Sequence, residues 1–190
     1  MLASKRIWIL VPFLIAVLAL CGSCTGSNSG GGGVMRTLCL ELVGASTPAS
    51  GEVVMQAGAG STCGALELEL MVTDVTDVFS VVATVEYDPR FAAFFAMTTD
   101  GSVLSQDGTQ LTPLVQESTL GTITLGVARN AADGIDVNGT GKLLTLFFVP
   151  FDEGTGDITI TTPCLTGSQQ PPVPKAGVAC SGAMLVTTLQ

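Results

Sequence analysis

Residues 79–87 read FSVVATVEY, and a little upstream residues 65–72 read ALELELMV. In the upstream run Leu66, Leu68 and Leu70 alternate with Glu67 and Glu69. In the other, Phe79, Val81, Ala83, Val85 and Tyr87 alternate with Ser80, Thr84 and Glu86. A period of two marks a strand with one face on a core and one in water. Working outward, residues 119–128 continue the pattern, but Leu120 is out of phase with Ile123, Leu125 and Val127, so a twist or bulge is expected near Gly121. Residues 143–149 are apolar in both phases, as in a strand covered on both faces or one carrying an exposed patch. Residues 157–162 and 183–189 complete the set. Turn pairs separate these runs, among them Asp88-Pro89, Asp100-Gly101, Asp107-Gly108, Asp133-Gly134 and Asn138-Gly139. Only residues 90–96 leave room for a helical turn. Short strands with regular turn signals predict an all-β fold, an antiparallel sandwich or barrel.

Composition removes several functional classes. The chain has 190 residues and no His, which excludes Ser-His and Cys-His nucleophiles and His-ligated zinc. Seven Lys and Arg face 16 Asp and Glu, a formal charge of −9 with no basic stripe, which argues against nucleic acid as a partner. The acids lie scattered in turns. Asp100, Asp107 and Glu117 are equally eligible as a carboxylate pair, and no spacing singles one out. No GxSxG or SxxK motif occurs, so the chain reads as a non-enzyme without a cofactor. Sugar-binding sandwiches commonly stack sugar rings on Trp or Tyr. The one Trp is Trp8, near the N-terminus, and the one Tyr is Tyr87, expected to point inward, so polysaccharide ranks as a lesser partner.

The N-terminus carries a targeting signal. Lys5 and Arg6 precede an apolar run, residues 7–20, shorter than the roughly 20 residues a helix needs to span a bilayer. It ends at Cys21, Gly22, Ser23 and Cys24, which resemble the lipobox of bacterial lipoproteins, although Cys21 stands where an aliphatic residue is usual. Acylation at Cys24 discards Cys21 and leaves Cys39, Cys63, Cys164 and Cys180, an even set; acylation at the alternative, Cys21, strands Cys24 as a spare thiol. The expected organisation is therefore a signal peptide over residues 1–23, a Gly/Ser-rich tether over 24–33 and a sandwich domain over 34–190. Loss of Lys5 and Arg6 makes the mature chain two charges more negative, so membrane attachment in the cell envelope should rest on the lipid alone.

Cys164 and Cys180 flank a loop holding Pro171, Pro172 and Pro174, where a disulfide would staple an insertion; Cys39 and Cys63 would then pair. Four cysteines allow three pairings, and the sequence does not choose among them. Asp133, Asp136 and Asn138 share a Gly-rich loop and are weak calcium candidates, because Gly134 occupies a ligand position of the usual calcium loop. A turn before a strand is the plainer role for that loop.

The order of motifs resembles the cohesin domains of the carbohydrate-binding-module-like superfamily. The strand over 79–87 runs into Tyr87-Asp88-Pro89 with Phe91 shortly after, then Gly101-Ser102-Val103-Leu104. The strand over 122–127 follows, then DGIDVNGTG (133–141) feeding KLLTLFFVPF (142–151), GTGDITIT (154–161) and a closing SGAMLV (181–186). The resemblance covers about residues 66–188; the Pro-rich insertion between Cys164 and Cys180 and the Cys-containing N-terminal segment depart from it. It implies a jelly roll of about nine strands that docks a dockerin, a short calcium-loaded module borne on enzymes, possessed mainly by polysaccharide-degrading machinery. It also implies that docking uses one sheet face, whose outward positions here are Ser80, Val82, Thr84 and Glu86 with Thr122 and Thr124. Thr is enriched on any solvated β face, so these residues serve a plain surface equally well. The alternative is a structural or carbohydrate-binding envelope sandwich with no dockerin partner.

Overall fold

The computed structural model describes residues 36–45, 47–161 and 163–190; the signal peptide, the tether and Cys21 and Cys24 lie outside them. The described chain runs through β1 (Leu38–Val43), β2 (Glu52–Ala57), β3 (Leu66–Val78), β4 (Ser80–Tyr87) and β5 (Ala92–Thr98). After a 3-10 turn at Val103–Ser105 come β6 (Leu111–Thr119), β7 (Thr122–Arg129), β8 (Ile135–Pro150) and β9 (Gly154–Ile160). Two short strands, β10 (Leu165–Thr166) and β11 (Ala179–Cys180), precede β12 (Ala183–Leu189). One sheet has the order β1-β12-β9-β4-β7-β6, with β10 also on β4; the other is β11-β2-β3-β8-β5. The nested pairs β3·β8 and β4·β7 roll the chain between the sheets in jelly-roll fashion.

The alternating runs set the core. Leu66, Leu68 and Leu70 of β3, Val81 and Val85 of β4, Ile123 and Leu125 of β7, and Leu144, Leu146 and Phe148 of β8 are all buried in one cluster. Phe148 is met edge-on by Tyr87 at 5.1 Å and Phe94 at 5.8 Å between ring centroids. Both readings of residues 143–149 hold in one strand. At one end Leu143 is buried, and its carbonyl accepts a hydrogen bond from Ser102 Oγ at 2.6 Å beside the 3-10 turn. At the other end Val149 is 37% exposed.

Several expectations need correction. There are twelve strands among the described residues, against about nine, and two of them, β10 and β11, form inside the Pro-rich insertion. The sandwich is not wholly antiparallel, since β11 pairs parallel with β2. Residues 90–96 hold no helical turn; most of them form β5, whose pairing with β8 overrides the local preference of an Ala/Phe run. The irregularity expected near Gly121 is present, as a register shift between Glu117 and Thr119 just before the hairpin turn that joins β6 to β7. Gly121 has φ +89°, and a Cβ there would lie 2.7 Å from the Tyr87 carbonyl oxygen.

Disulfides join Cys39 to Cys63 and Cys164 to Cys180, one of the three pairings open to the sequence. The second ties the start of β10, which sits on β4, to the end of β11, which sits on β2, so the insertion becomes a strap across both sheets. Cross-links of this loop length stabilise by about 3 kcal/mol, chiefly by restricting the unfolded chain. A Cys164→Ser/Cys180→Ser double variant should therefore lose about 3 kcal/mol in a urea titration. An unchanged midpoint would mean the strap adds nothing to stability.

Candidate docking face

The outward positions of β6, β7, β4 and β9 form one flat surface, and the registers set its rows. Thr112 stands beside Ala128, Leu114 beside Gly126 beside Val82, and Gln116 beside Thr124 beside Thr84. Thr122, Glu86 and Thr159 make the last row. The second row is the apolar one: Leu114 is 61% and Val82 52% exposed, with Gly126 between them leaving a shallow gap. Threonines surround it, Thr124 and Thr159 exposed and Thr84 and Thr122 half-buried. Beyond the last row a depression of about 400 Å³ is lined by Glu86, Tyr87, Asp88, Pro89, Asp157 and Thr159. The strand positions of the face carry no Lys or Arg. Of the five Lys and Arg in residues 34–190, four form ion pairs, Lys142 with Glu69, Lys175 with Asp77, Arg129 with Asp107 and Arg90 with Asp88 in the turn after β4, and the fifth, Arg36, precedes β1. The face is thus Thr-rich, mildly acidic and apolar at its middle.

Five of the six residues singled out by the sequence, Val82, Thr84, Glu86, Thr122 and Thr124, fall on this surface. Ser80 does not. It is 5% exposed, because β10 lies along this end of β4 and Thr166 Oγ1 meets Ser80 Oγ at 2.7 Å. Leu114, Gln116, Asp157 and Thr159 also reach this surface, Leu114 and Gln116 from β6, a strand the sequence does not mark, and Asp157 and Thr159 from β9, whose place beside β4 the sequence does not show. For β6 the only signal was the alternation in LTPLVQEST, which Pro113 obscures; Pro is tolerated there because β6 is an edge strand.

Three of the acids offered for other chemistry, Asp107, Glu117 and Asp136, have side-chain partners within the fold. Asp136 and Asn138 lie in β8 rather than in a free loop, because β8 continues along the bulged end of β3. Asp136 Oδ1 accepts the Asp77 N–H at 2.8 Å, and Asp133 offers its carbonyl oxygen to Arg129 Nε at 3.3 Å. Among the described residues no three His, Cys, Asp or Glu side chains converge as a metal site. Asp107 is paired with Arg129 at 2.6 Å.

Glu117 points under the face, where it accepts the Tyr87 hydroxyl at 2.5 Å and the Gly121 N–H at 3.0 Å; Tyr87 in turn accepts the Phe94 N–H at 3.2 Å. Burial, and then the bond to Glu117, push the Tyr87 hydroxyl up to about 12. A raised value means the neutral phenol is favoured by folding. Its stabilisation is complete below the unfolded value of about 10 and is lost as pH climbs through 12. Tyr87→Phe should cost about 1.5–3 kcal/mol at neutral pH, the range for a hydrogen bond to a charged group. It should also flatten the fall in melting temperature above pH 10; the same fall in both proteins would remove Tyr87 as its source.

Neither a family model nor a curated protein sequence matches this chain. Solved structures do. CaCohA2 from Clostridium acetobutylicum, in solution, aligns at a TM-score of 0.51 and 13% identity over 80% of this chain and 90% of its own. CaCohA2 in its crystalline complex with a CaDoc0917 variant aligns at 0.53 and 15%, over 70% of this chain and 96% of its own. The second type II cohesin module of the ScaA scaffoldin from Acetivibrio cellulolyticus gives 0.53 and 11%, over 69% and 85%. The chain therefore has the cohesin fold. Among the described residues no helix is long and apolar enough to cross a membrane.

Proposed function

We propose that this chain is a non-catalytic docking module, held to a membrane of the cell envelope by a lipid on Cys24, that displays one receptor face for a dockerin-type partner. The observation that carries the reading is the Leu114–Gly126–Val82 row, exposed apolar surface at the middle of a flat, cation-free sheet face. Interfaces of this kind gain their affinity from a desolvated apolar centre and their orientation from a polar rim. Threonines and Glu86 supply that rim here. The CaCohA2 complex is a precedent for a cohesin fold that takes a protein partner. By extension the partner would bring an enzyme, one acting on polysaccharide, to the cell surface.

The test is a pull-down from the organism's own secreted proteins in calcium, with the anchored chain as bait and an EDTA wash. The expected result is an EDTA-released protein bearing paired calcium-binding loops, captured less well by a Val82→Asp bait. A folded bait with both disulfides intact that retains no such protein would overturn the docking reading.

A further inference from the structure

The opposite side of the sandwich carries a second apolar patch that neither the core nor the docking face uses. Phe147 and Val149 alternate outward on β8, and Phe151 follows at 69% exposure. On β5, Ala93 lies opposite Val149 and Ala96 opposite Phe147; Phe95, unpaired at the bulge between Phe94 and Ala96, is 76% exposed. None of these six residues is charged. Two phenylalanines this bare on one corner mark a contact surface rather than incidental exposure.

The place where the N-terminal segment joins the domain lies at the same end. Thr37 exchanges backbone hydrogen bonds with Gln190, and Leu38 pairs with Leu189. The Leu189 N–H donates to Glu153 Oε1 at 3.2 Å, two residues past Phe151. The Phe151 N–H donates to the Phe91 carbonyl, which also accepts from Thr187 Oγ1 on β12. Between Cys24 and Thr37 the sequence has 12 residues, so the attachment point can lie no more than about 40 Å from this end of the domain, the reach of a fully extended chain. An acyl group on Cys24 therefore keeps this end of the domain within that reach of the bilayer.

We propose that the corner formed by Phe95, Phe147, Val149 and Phe151 rests on the interfacial layer of the membrane that anchors the chain. The two sheets stand back to back, so this contact turns the docking face of β6, β7, β4 and β9 away from the lipid. Asp152 and Glu153 flank the patch and disfavour anionic headgroups, so the contact is apolar and prefers a zwitterionic surface. The inference rests on the lipid-anchor reading.

A fluorescence experiment separates the two. Trp8 is the only tryptophan and is lost with the signal peptide, so Phe151→Trp gives the mature chain a single reporter. The full chain, processed and purified, is reconstituted into phosphatidylcholine vesicles with or without brominated acyl chains. Brominated lipid should quench the Phe151→Trp and Phe95→Trp proteins about twofold, as for side chains set at the acyl boundary, and leave Val82→Trp unaffected. Quenching should fall when phosphatidylglycerol replaces phosphatidylcholine. If mass spectrometry finds acylated Cys24 and the protein floats with vesicles, but neither reporter is quenched, the anchor stands and the membrane contact is wrong. A chain that is not acylated and does not float removes the anchor and this inference together. Unquenched reporters combined with a dimer that Phe95→Ser/Phe151→Ser dissociates would assign the patch to a second copy, overturning the proposal.

Discussion

On the proposed docking function, Gly126→Arg should weaken binding of a dockerin module about a hundredfold, about 2.7 kcal/mol, while leaving the melting temperature almost unchanged. Gly126 sits between Val82 and Leu114 on the outward surface, and its φ is outside the left-handed region. A Cβ built there meets only Leu114, at 3.6 Å and beyond, an ordinary contact. The new side chain therefore stands clear of the fold and occupies the middle of the face. A partner pressed onto the row would lose its contact with both apolar neighbours and would bury a guanidinium with no carboxylate opposite it in the row. Calorimetric titration of native and variant chains with a dockerin module measures the effect. A folded variant of native affinity would move the interface to another surface.

Arg129→Ala should lower stability by about 1–3 kcal/mol, the cost of leaving buried hydrogen-bond acceptors without a donor, since Asp107, 47% exposed, is rehydrated when the guanidinium goes. The Arg129 side chain is 3% exposed at the end of β7 and gathers two connections, β5–β6 and β7–β8. It donates to the Leu104 carbonyl oxygen beside the 3-10 turn, to Asp107 Oδ2 at 2.6 Å, to Thr109 Oγ1 at 3.3 Å and to the Asp133 carbonyl oxygen at 3.3 Å. Truncation leaves the buried acceptors unsatisfied. Arg129→Lys keeps the charge but not the planar fork, so it should fall between native and Ala. Hydrogen bonds from Arg129 first, and from Thr109 after it, hold the Asp107 carboxyl well below the usual carboxylate range. A depressed value means the pair is intact above the ordinary Asp value of about 3.9 and is lost only as pH falls well below it. Urea titrations at neutral pH test the magnitude; a loss under about 1 kcal/mol would show that water replaces the guanidinium without penalty.

The strands that became legible in the sequence are those with one wet face. In β3 and β4 alternation of Leu with Glu, and of Val with Thr, records burial directly. The edge strands are harder to read. In β5 the side chains facing out are Ala and Phe rather than polar groups, so no alternation marks AAFFAMT. In β6 Pro113 interrupts the pattern. The outward surface was legible where its residues alternate with core residues on β4 and β7, but not at Ser80, which is covered by Thr166, far away in sequence. Local periodicity reports whether a side chain leaves its own sheet; it does not report what another segment lays over it. Cys39–Cys63 and Cys164–Cys180 show the same limit, since the choice among pairings depends on which loops the sheets bring together.

If the domain is anchored at its N-terminus and docks a partner on the far side, as proposed, the Cys39–Cys63 bridge acquires a mechanical meaning. Tension enters at Thr37 and would first strain β1, an edge strand held to its own sheet only by β12. Two residues inside that point the bridge carries the load to Cys63, in the loop joining β2 and β3 of the other sheet. Pulling thus tugs on both sheets at once and cannot peel β1 from its edge. Reduction of that one bond would convert a shared load into an unzipping one.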